Sequence, residues 1–277
     1  MNDRIKLVGL DLDGTLLGKD RILTRRTVET MEKVAAKGVN LVIDSGRYFP
    51  VVPKEIRELP FMRYFVLCNG AEIYDMWEDK TLYRAEIPLD QALRIYDDLT
   101  DCDELYLDCY MSDGSWARAE DHARIDEFVS DQSHRDILHN TRTPVKNFRE
   151  ALVKRGKPIY KFQTIYMNTE IRDRERARME KLYPGMSITV AYTYNLEMNV
   201  PEATKGRGLL NLARILGLER DQVIAFGDSG NDLSMIECAG TGYAMENATP
   251  DIKAAADRIA PLNTEDGVAQ VLEELFL

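Results

Sequence analysis

Two aspartates, Asp11 and Asp13, interrupt the apolar run of IKLVGLDLDGTLLG just ahead of a glycine. Carboxylates at the end of a strand built for the core are costly to dehydrate, so their position calls for a chemical reason. Other polar residues follow segments of the same apolar type. Ser45, Gly46 and Arg47 end VNLVIDSGR, and Asn69 and Gly70 follow YFVLC. Gly227, Asp228, Ser229, Gly230, Asn231 and Asp232 follow DQVIAF, and Lys205 opens the helical pattern ahead of that strand. In an open parallel sheet ligands bind outside the carboxyl ends of the strands, so these segments are expected to converge on one edge. Acids gathered there repel one another, and a hard divalent cation with oxygen ligands relieves this; Mg2+ suits a few carboxylates plus a phosphate. Asp11 and Asp228 are the expected direct carboxylate ligands. Glycines at 14, 46 and 230 permit close backbone approach, and N–H groups at helix starts favour anions. A cation site beside an anion cradle means phosphate chemistry.

The elements that must position these residues alternate between strand and helix. IKLVGLDLD, VNLVIDSG and YFVLCNGA read as strands, separated by the helix TRRTVETMEKVAAKG and by RYFPVVPKEIREL, which reads as mostly helical despite Pro50 and Pro53. The same order returns at the far end of the chain: helix TKGRGLLNLARILGL, strand DQVIAFGD, helix NDLSMIECAG, strand TGYAM, helix TPDIKAAAD and helix DGVAQVLEELFL. Strand–helix–strand order with nearly continuous apolar strands predicts a doubly covered parallel sheet, an α/β core of Rossmann-like type. The middle reads differently. EIPLDQALRIYDDLT is helical, ELYLDCYMSDGSWARAE a hairpin turning at Asp113–Gly114, KPIYKFQTIYMN a strand, EIRDRERARMEKLYPG a charged helix and SITVAYTYNLEMNV extended. These predict an α+β insert over 84–189, between core segments 1–83 and 190–277.

A chain of 277 residues with a net charge of −11 has room for a sizeable core and disfavours a nucleic-acid partner, whose phosphates attract basic surfaces. A few local cations still suffice for a small phosphorylated ligand. The four cysteines show no paired short spacing, which argues against zinc and fits free thiols in a reducing cytosol. No apolar run approaches the ~18 residues of a membrane span, and no signal segment opens the chain. A cytoplasmic protein is expected.

DLDGTL, SGR, the KG lysine and GDSGND, in that order, resemble the four motifs of the haloacid dehalogenase superfamily. CNGA, the tail AMENATPDIKAAAD…NTEDGVAQVLEEL and the position of the insert resemble its Cof-like phosphatases, which carry a class II cap of subtype B. The resemblance implies that Asp11 is a nucleophile forming an aspartyl-phosphate. It implies that Asp13 is the general acid and base and lends the metal a backbone carbonyl. Lys205 would neutralise the nucleophile and the phosphoryl group, and Leu12, Thr15, Ser45, Gly46, Lys205 and Asn231 would bind the phosphate. The metal, Mg2+, would be held at Asp11, Asp13 and Asp228, with Asp232, Arg47 and Asn69 in support. The implied substrate is a small phosphomonoester such as a sugar phosphate, selected by the cap.

Several residues admit a second reading. Asp232 and Asn231 could cap a helix, Arg47 could be a solvated helix residue, and Asn69 and Asn247 could satisfy loop backbone. Asp44, ahead of Ser45, stands where relatives carry a small or hydroxyl residue, and could repel the site, pair with a base or point elsewhere. His122, His134 and His139 invite a metal but lack i,i+4 spacing, so solvated loop histidines are expected. Tyr110 and Trp116 fit the insert's core or a substrate-facing role. At the level of function a phosphomutase, a dehalogenase and a non-catalytic sensor of phosphorylated metabolites are the alternatives. An intact set of acids and lysine disfavours the last two.

Overall fold

The computed structural model describes residues 4–18 and 21–277 and divides into two units, Met1–Arg84 with Ala203–Leu277, and Ala85–Glu202. In the first unit the chain runs β1 (Leu7–Leu10), α1 (Arg25–Ala35), β2 (Asn40–Asp44), α2 (Lys54–Arg57), β3 (Tyr64–Leu67), β4 (Glu72–Asp75) and β5 (Lys80–Arg84). In the second it runs α3 (Leu89–Leu99), β6 (Leu105–Met111), β7 (Gly114–Arg118), α4 (Ala119–His122), α5 (Ile125–Phe128), α6 (Gln132–Thr141), β8 (Thr143–Val145), α7 (Phe148–Arg155), β9 (Lys161–Tyr166), α8 (Thr169–Leu182), β10 (Ser187–Thr189) and β11 (Asn195–Asn199). The first unit resumes with α9 (Lys205–Ile215), β12 (Val223–Gly227), α10 (Leu233–Cys238), β13 (Thr241–Met245), α11 (Pro250–Ala255), β14 (Arg258–Ala260) and α12 (Gly267–Phe276).

The first unit's sheet has the order β14-β13-β12-β1-β2-β3-β4-β5, parallel through β3 and antiparallel at β4 and β5. The antiparallel pair is a departure from the expected all-parallel sheet. Its turn carries no glycine; Asp79 takes the left-handed conformation (φ 47°) that glycine usually supplies, which hid the hairpin. The segment after β2 is also less helical than expected: a 3-10 turn at Phe49–Val51 and the four-residue α2 are all it forms, as Pro50 and Pro53 withhold N–H donors.

Strand β1 lies between β12 and β2, so the chain leaves it in one direction early and returns on its other side near the end. Leu7, Val42, Val66, Val223 and Ala225 form one face with Leu209, Leu212, Ala213, Met235 and Ala239. Burying each such leucine or valine is worth about 1.5–3 kcal/mol. Gly9 sits on this face because a Cβ there would come within 2.8 Å of Leu209 Cδ2. Side chains alternate along a strand, so Asp11 and Asp44 follow Gly9 and Val42 onto the same face.

The second unit's sheet has the order β10-β11-β9-β6-β7-β8. The extended stretch 187–199 is two strands, β10 and β11, turned where Asn195 Oδ1 accepts from Ala191 N and Tyr192 N. Because β11 pairs with β9, this hairpin belongs to the second unit's sheet, and the unit ends at Glu202 where the sequence placed the boundary at 189. Helices α4 to α7 had no sequence signal strong enough to separate them from loop, and two of them are single turns. They carry His122, His134 and His139, which are therefore helical or adjacent to helix caps and not in loops. His139 Nδ1 lies 3.3 Å from His122 Nε2, and His134 sets its ring edge against Tyr192. Tyr110 is buried between two cations, Arg142 and Lys161, each about the same distance from its ring, while Trp116 packs edge-on to Phe148. All four cysteines are free thiols. No helix among the described residues is long and apolar enough to cross a membrane.

Candidate active site

Asp11 follows the last residue of β1, and its N–H donates to Phe226 O of β12, which fixes it against the strand that leads to Asp228. The loop beyond folds back on itself: Leu12 O accepts from Leu17 N at 2.9 Å and Asp11 O from Leu16 N at 3.2 Å. Gly14 makes the turn possible. Its φ is +86°, and a Cβ would fall 2.4 Å from Asp228 Oδ2, so only glycine lets the loop lie against that carboxylate. Asn247 Nδ2 ties the loop down by donating to Gly14 O at 2.7 Å.

Lys205, fully buried at the start of α9, donates to Asp11 Oδ1 at 2.6 Å and to Asp232 Oδ1 at 2.5 Å. Its helix starts here because Thr204 caps it, accepting from Arg207 N. The approach depends on Gly70 (φ +87°), where a Cβ would meet Thr204 O at 2.2 Å. Gly70→Ala is expected to destabilise the fold by about 2–4 kcal/mol through left-handed strain and overpacking, as urea denaturation would measure.

Asp232 is wholly buried, and its second oxygen accepts from Asp228 N and Ser229 N. It thus both caps the turn after β12 and serves Lys205. Carboxylate oxygens of Asp11, Asp228 and Asp232 lie within 4.8 Å of one another, and Thr15 Oγ1 donates to Asp228 Oδ1 at 3.2 Å. The other oxygen of Asp11 is buried with no hydrogen-bond partner. Burial, then Asp232, push the Asp11 carboxyl well above the usual carboxylate range, while Lys205 pulls it down; burial and Asp232 likewise raise Asp228 to about 7. Burial works against the Lys205 charge, but Asp11, Asp232 and Asp44 together hold its ammonium above the ordinary value. Three acids around one lysine leave surplus negative charge that a divalent cation would neutralise. The donor set, all oxygen, with one of those oxygens bare, fits such an ion.

Asp13 stands apart from this cluster. Its carboxylate lies in the fork of Arg47, at 2.7 and 2.9 Å, with Arg21 Nε at 3.8 Å. Arg47 also donates to Val51 O, so it is an engaged residue and not a solvated one. Ser45 is buried after β2; its N–H donates to Val66 O, and its hydroxyl accepts from Arg47 N. Gly46 lies between them, partly exposed. Asn69, itself left-handed (φ 61°), accepts at Oδ1 from Asn231 Nδ2 at 3.2 Å, and its N–H donates to Ser45 O. The residues expected at the strand ends therefore assemble with Lys205 at one sheet edge, while the histidines, Tyr110 and Trp116 belong to the second unit. Arg21 and Asn263 join them without having been singled out, and Ser229, named at its strand end but given no role, takes part as well. Ser229 Oγ donates to Asn231 Oδ1, and Asn263 Nδ2 to Leu17 O. Neither Arg21 nor Asn263 lies at a strand end, the feature that exposed the others, whereas Ser229 lay inside GDSGND.

The family model of haloacid dehalogenase-like hydrolases matches residues 8–272. The chain belongs to that family. It is 28% identical to the 5-amino-6-(5-phospho-D-ribitylamino)uracil phosphatase YwtE of Bacillus subtilis, over 98% of each chain. It is 26% identical to the pyridoxal phosphate phosphatase YbhA of Escherichia coli, over 96% of this chain and 97% of that one. Among solved structures, a haloacid dehalogenase-like hydrolase from Bacteroides thetaiotaomicron superposes with a TM-score of 0.80 at 27% identity, covering 98% of this chain and 100% of that one.

Proposed function

We propose that this chain is a Mg2+-dependent phosphatase that hydrolyses small phosphomonoesters through an aspartyl-phosphate on Asp11, in the cytoplasm. The observation that carries the reading is the Asp11 carboxylate: buried, one oxygen engaged by Lys205, the other bare, beside Asp228 and Asp232. A carboxylate attacking a phosphate dianion meets charge repulsion, and Lys205 offsets it at both nucleophile and phosphoryl group. An oxygen of Asp11 bonds to phosphorus while the bond to the ester oxygen breaks and its electrons leave with the alkoxide. Asp13 protonates that alkoxide, then takes a proton from the water that cleaves the acyl phosphate, help worth about 10²–10⁴-fold. Arg47, which forks onto Asp13, orients it. The Ser45 hydroxyl, the backbone at Leu12, Thr15 and Gly46, and the Asn231 amide hold the phosphoryl oxygens, with Asn69 steadying Asn231. Asp11, Asp228 and the Asp13 carbonyl would hold Mg2+, with Asp232 behind them, and the ion would supply Lewis-acid stabilisation of the phosphoryl charge.

Two relatives carry the names of phosphatases of unlike metabolites, a phosphoribityl pyrimidine and pyridoxal phosphate. That supports small phosphomonoesters as the class, sugar phosphates included, and gives no single substrate. The test is hydrolysis of an aryl phosphate: turnover with Mg2+, loss of at least about 10²-fold in EDTA, and recovery when Mg2+ is restored. No turnover across a panel of phosphomonoesters, with tight binding of one of them, would favour a sensor. Isomerisation of a sugar phosphate without phosphate release would favour a mutase, and metal-free chloride release from a haloacid a dehalogenase.

A further inference from the structure

Three consecutive residues after β3 have left-handed backbone: Cys68 (φ 52°), Asn69 (φ 61°) and Gly70 (φ 87°). All three are buried. Glycine takes this conformation freely and asparagine tolerates it, but cysteine adopts it only at a cost. Such a run persists where its surroundings hold it, and here they are three segments of the site. Cys68 N–H donates to Arg47 O at 2.9 Å and Asn69 N–H to Ser45 O at 3.1 Å. The Asn69 side chain accepts from Asn231 Nδ2 at 3.2 Å. Gly70 leaves no room for a Cβ against Thr204 O, the residue that caps the helix of Lys205.

The two backbone bonds fall on either side of Gly46. In an extended strand successive N–H groups point to opposite sides, so two neighbouring donors reach one loop only because the chain turns left-handed here. In a trans peptide the C=O and the following N–H also point opposite ways, and no described peptide bond is cis. With Ser45 O held toward Asn69, the Gly46 N–H is therefore turned away from the 68–70 turn. Among the described residues no hydrogen bond engages it. Arg47 O, held by Cys68, fixes the far end of the same short loop. We infer that the left-handed turn Cys68–Asn69–Gly70 is a positioning element, whose backbone aims the Gly46 N–H at a phosphoryl oxygen. The inference rests on the phosphatase reading for the identity of that anion. It gives Asn69 a second task, carried by its backbone, beside the bond from its side chain to Asn231.

Asn69→Gly and Asn69→Val both remove the bond to Asn231 and differ in whether residue 69 can stay left-handed. Titration calorimetry of the full chain with inorganic phosphate, in Mg2+, should find the valine variant binding at least about tenfold more weakly than the glycine variant. With an aryl phosphate the difference between them should fall chiefly on KM, since the donated bond serves substrate and transition state alike. The Gly46 amide proton should move downfield on phosphate titration in the wild type and in Asn69→Gly, and stay in place in Asn69→Val. Equal phosphate affinities in the two variants, even with unequal stability, overturn the inference, as does a wild-type Gly46 amide that does not respond. Asn69→Ala takes the place of valine in the same comparison if thermal melting shows that variant unfolded. A wild type that binds phosphate through Gly46 but hydrolyses no phosphomonoester overturns the phosphatase reading and leaves the role of the turn standing.

Discussion

Asp11→Asn is expected to lower kcat by about 10⁴-fold or more, because an amide cannot form the acyl phosphate on which turnover depends. The change is nearly isosteric, so the pocket that Lys205, Asp228 and Thr15 build around it should persist. Stability separates loss of chemistry from loss of structure. Asp11 is buried and its carboxyl is raised well above its ordinary value, chiefly by desolvation. A raised acid contributes stability that is fully present below its unfolded pKa and is lost as pH rises through the folded one. In metal-free buffer the wild type should therefore lose stability as pH climbs from about 4, and Asp11→Asn should show a shallower slope. A variant that is inactive and also melts well below wild type at neutral pH would mean that Asp11 is needed for the fold, and the assignment of a nucleophile would lose its support.

Lys205→Met is expected to cost about 3–5 kcal/mol of folding free energy in the absence of metal. The ammonium is fully buried and bonds two acids, Asp11 and Asp232, at 2.6 and 2.5 Å, so its removal strands both in the interior. Methionine fills the space but supplies no charge. Added Mg2+ should recover part of the loss in urea denaturation, because a cation among Asp11, Asp228 and Asp232 offsets the same surplus. Catalysis should fall by about 10²–10³-fold even where the protein remains folded. A variant as stable as wild type would show that one of these acids is neutral and that the lysine carries no structural load.

The edge of the sheet was the most legible part of this protein. Apolar strands ending in Asp11, Ser45, Asn69 and Asp228 point to one edge because a parallel sheet leaves all its carboxyl ends on the same side. Lys205 was legible by its place before Gly206 at a helix start. What sequence could not supply was direction within the edge. Asp13 lies two residues from Asp11, yet its carboxylate turns to Arg47, since Gly14 redirects the chain after it. Asp232, equally plausible as a helix cap, is both a cap and a partner of Lys205 because its two oxygens serve different elements. The strand pair β4–β5 escaped notice because an aspartate replaced the glycine that marks such turns. The second unit's short helices escaped because a single turn holds too few residues for a periodic pattern.

The placement of β1 between β2 and β12 has a consequence for biosynthesis. Lys205 meets Asp11 across 194 positions of sequence, and the whole second unit is made in between. A nascent chain that has emerged only as far as the insert can pair β1 on one side; its other side, a row of unsatisfied N–H and C=O groups, stays open until β12 arrives. Such an edge invites pairing with the wrong neighbour at that stage of synthesis. The acids that define the site gather only after that edge closes, so the pocket can be complete only once β12 and the loop after it have been made.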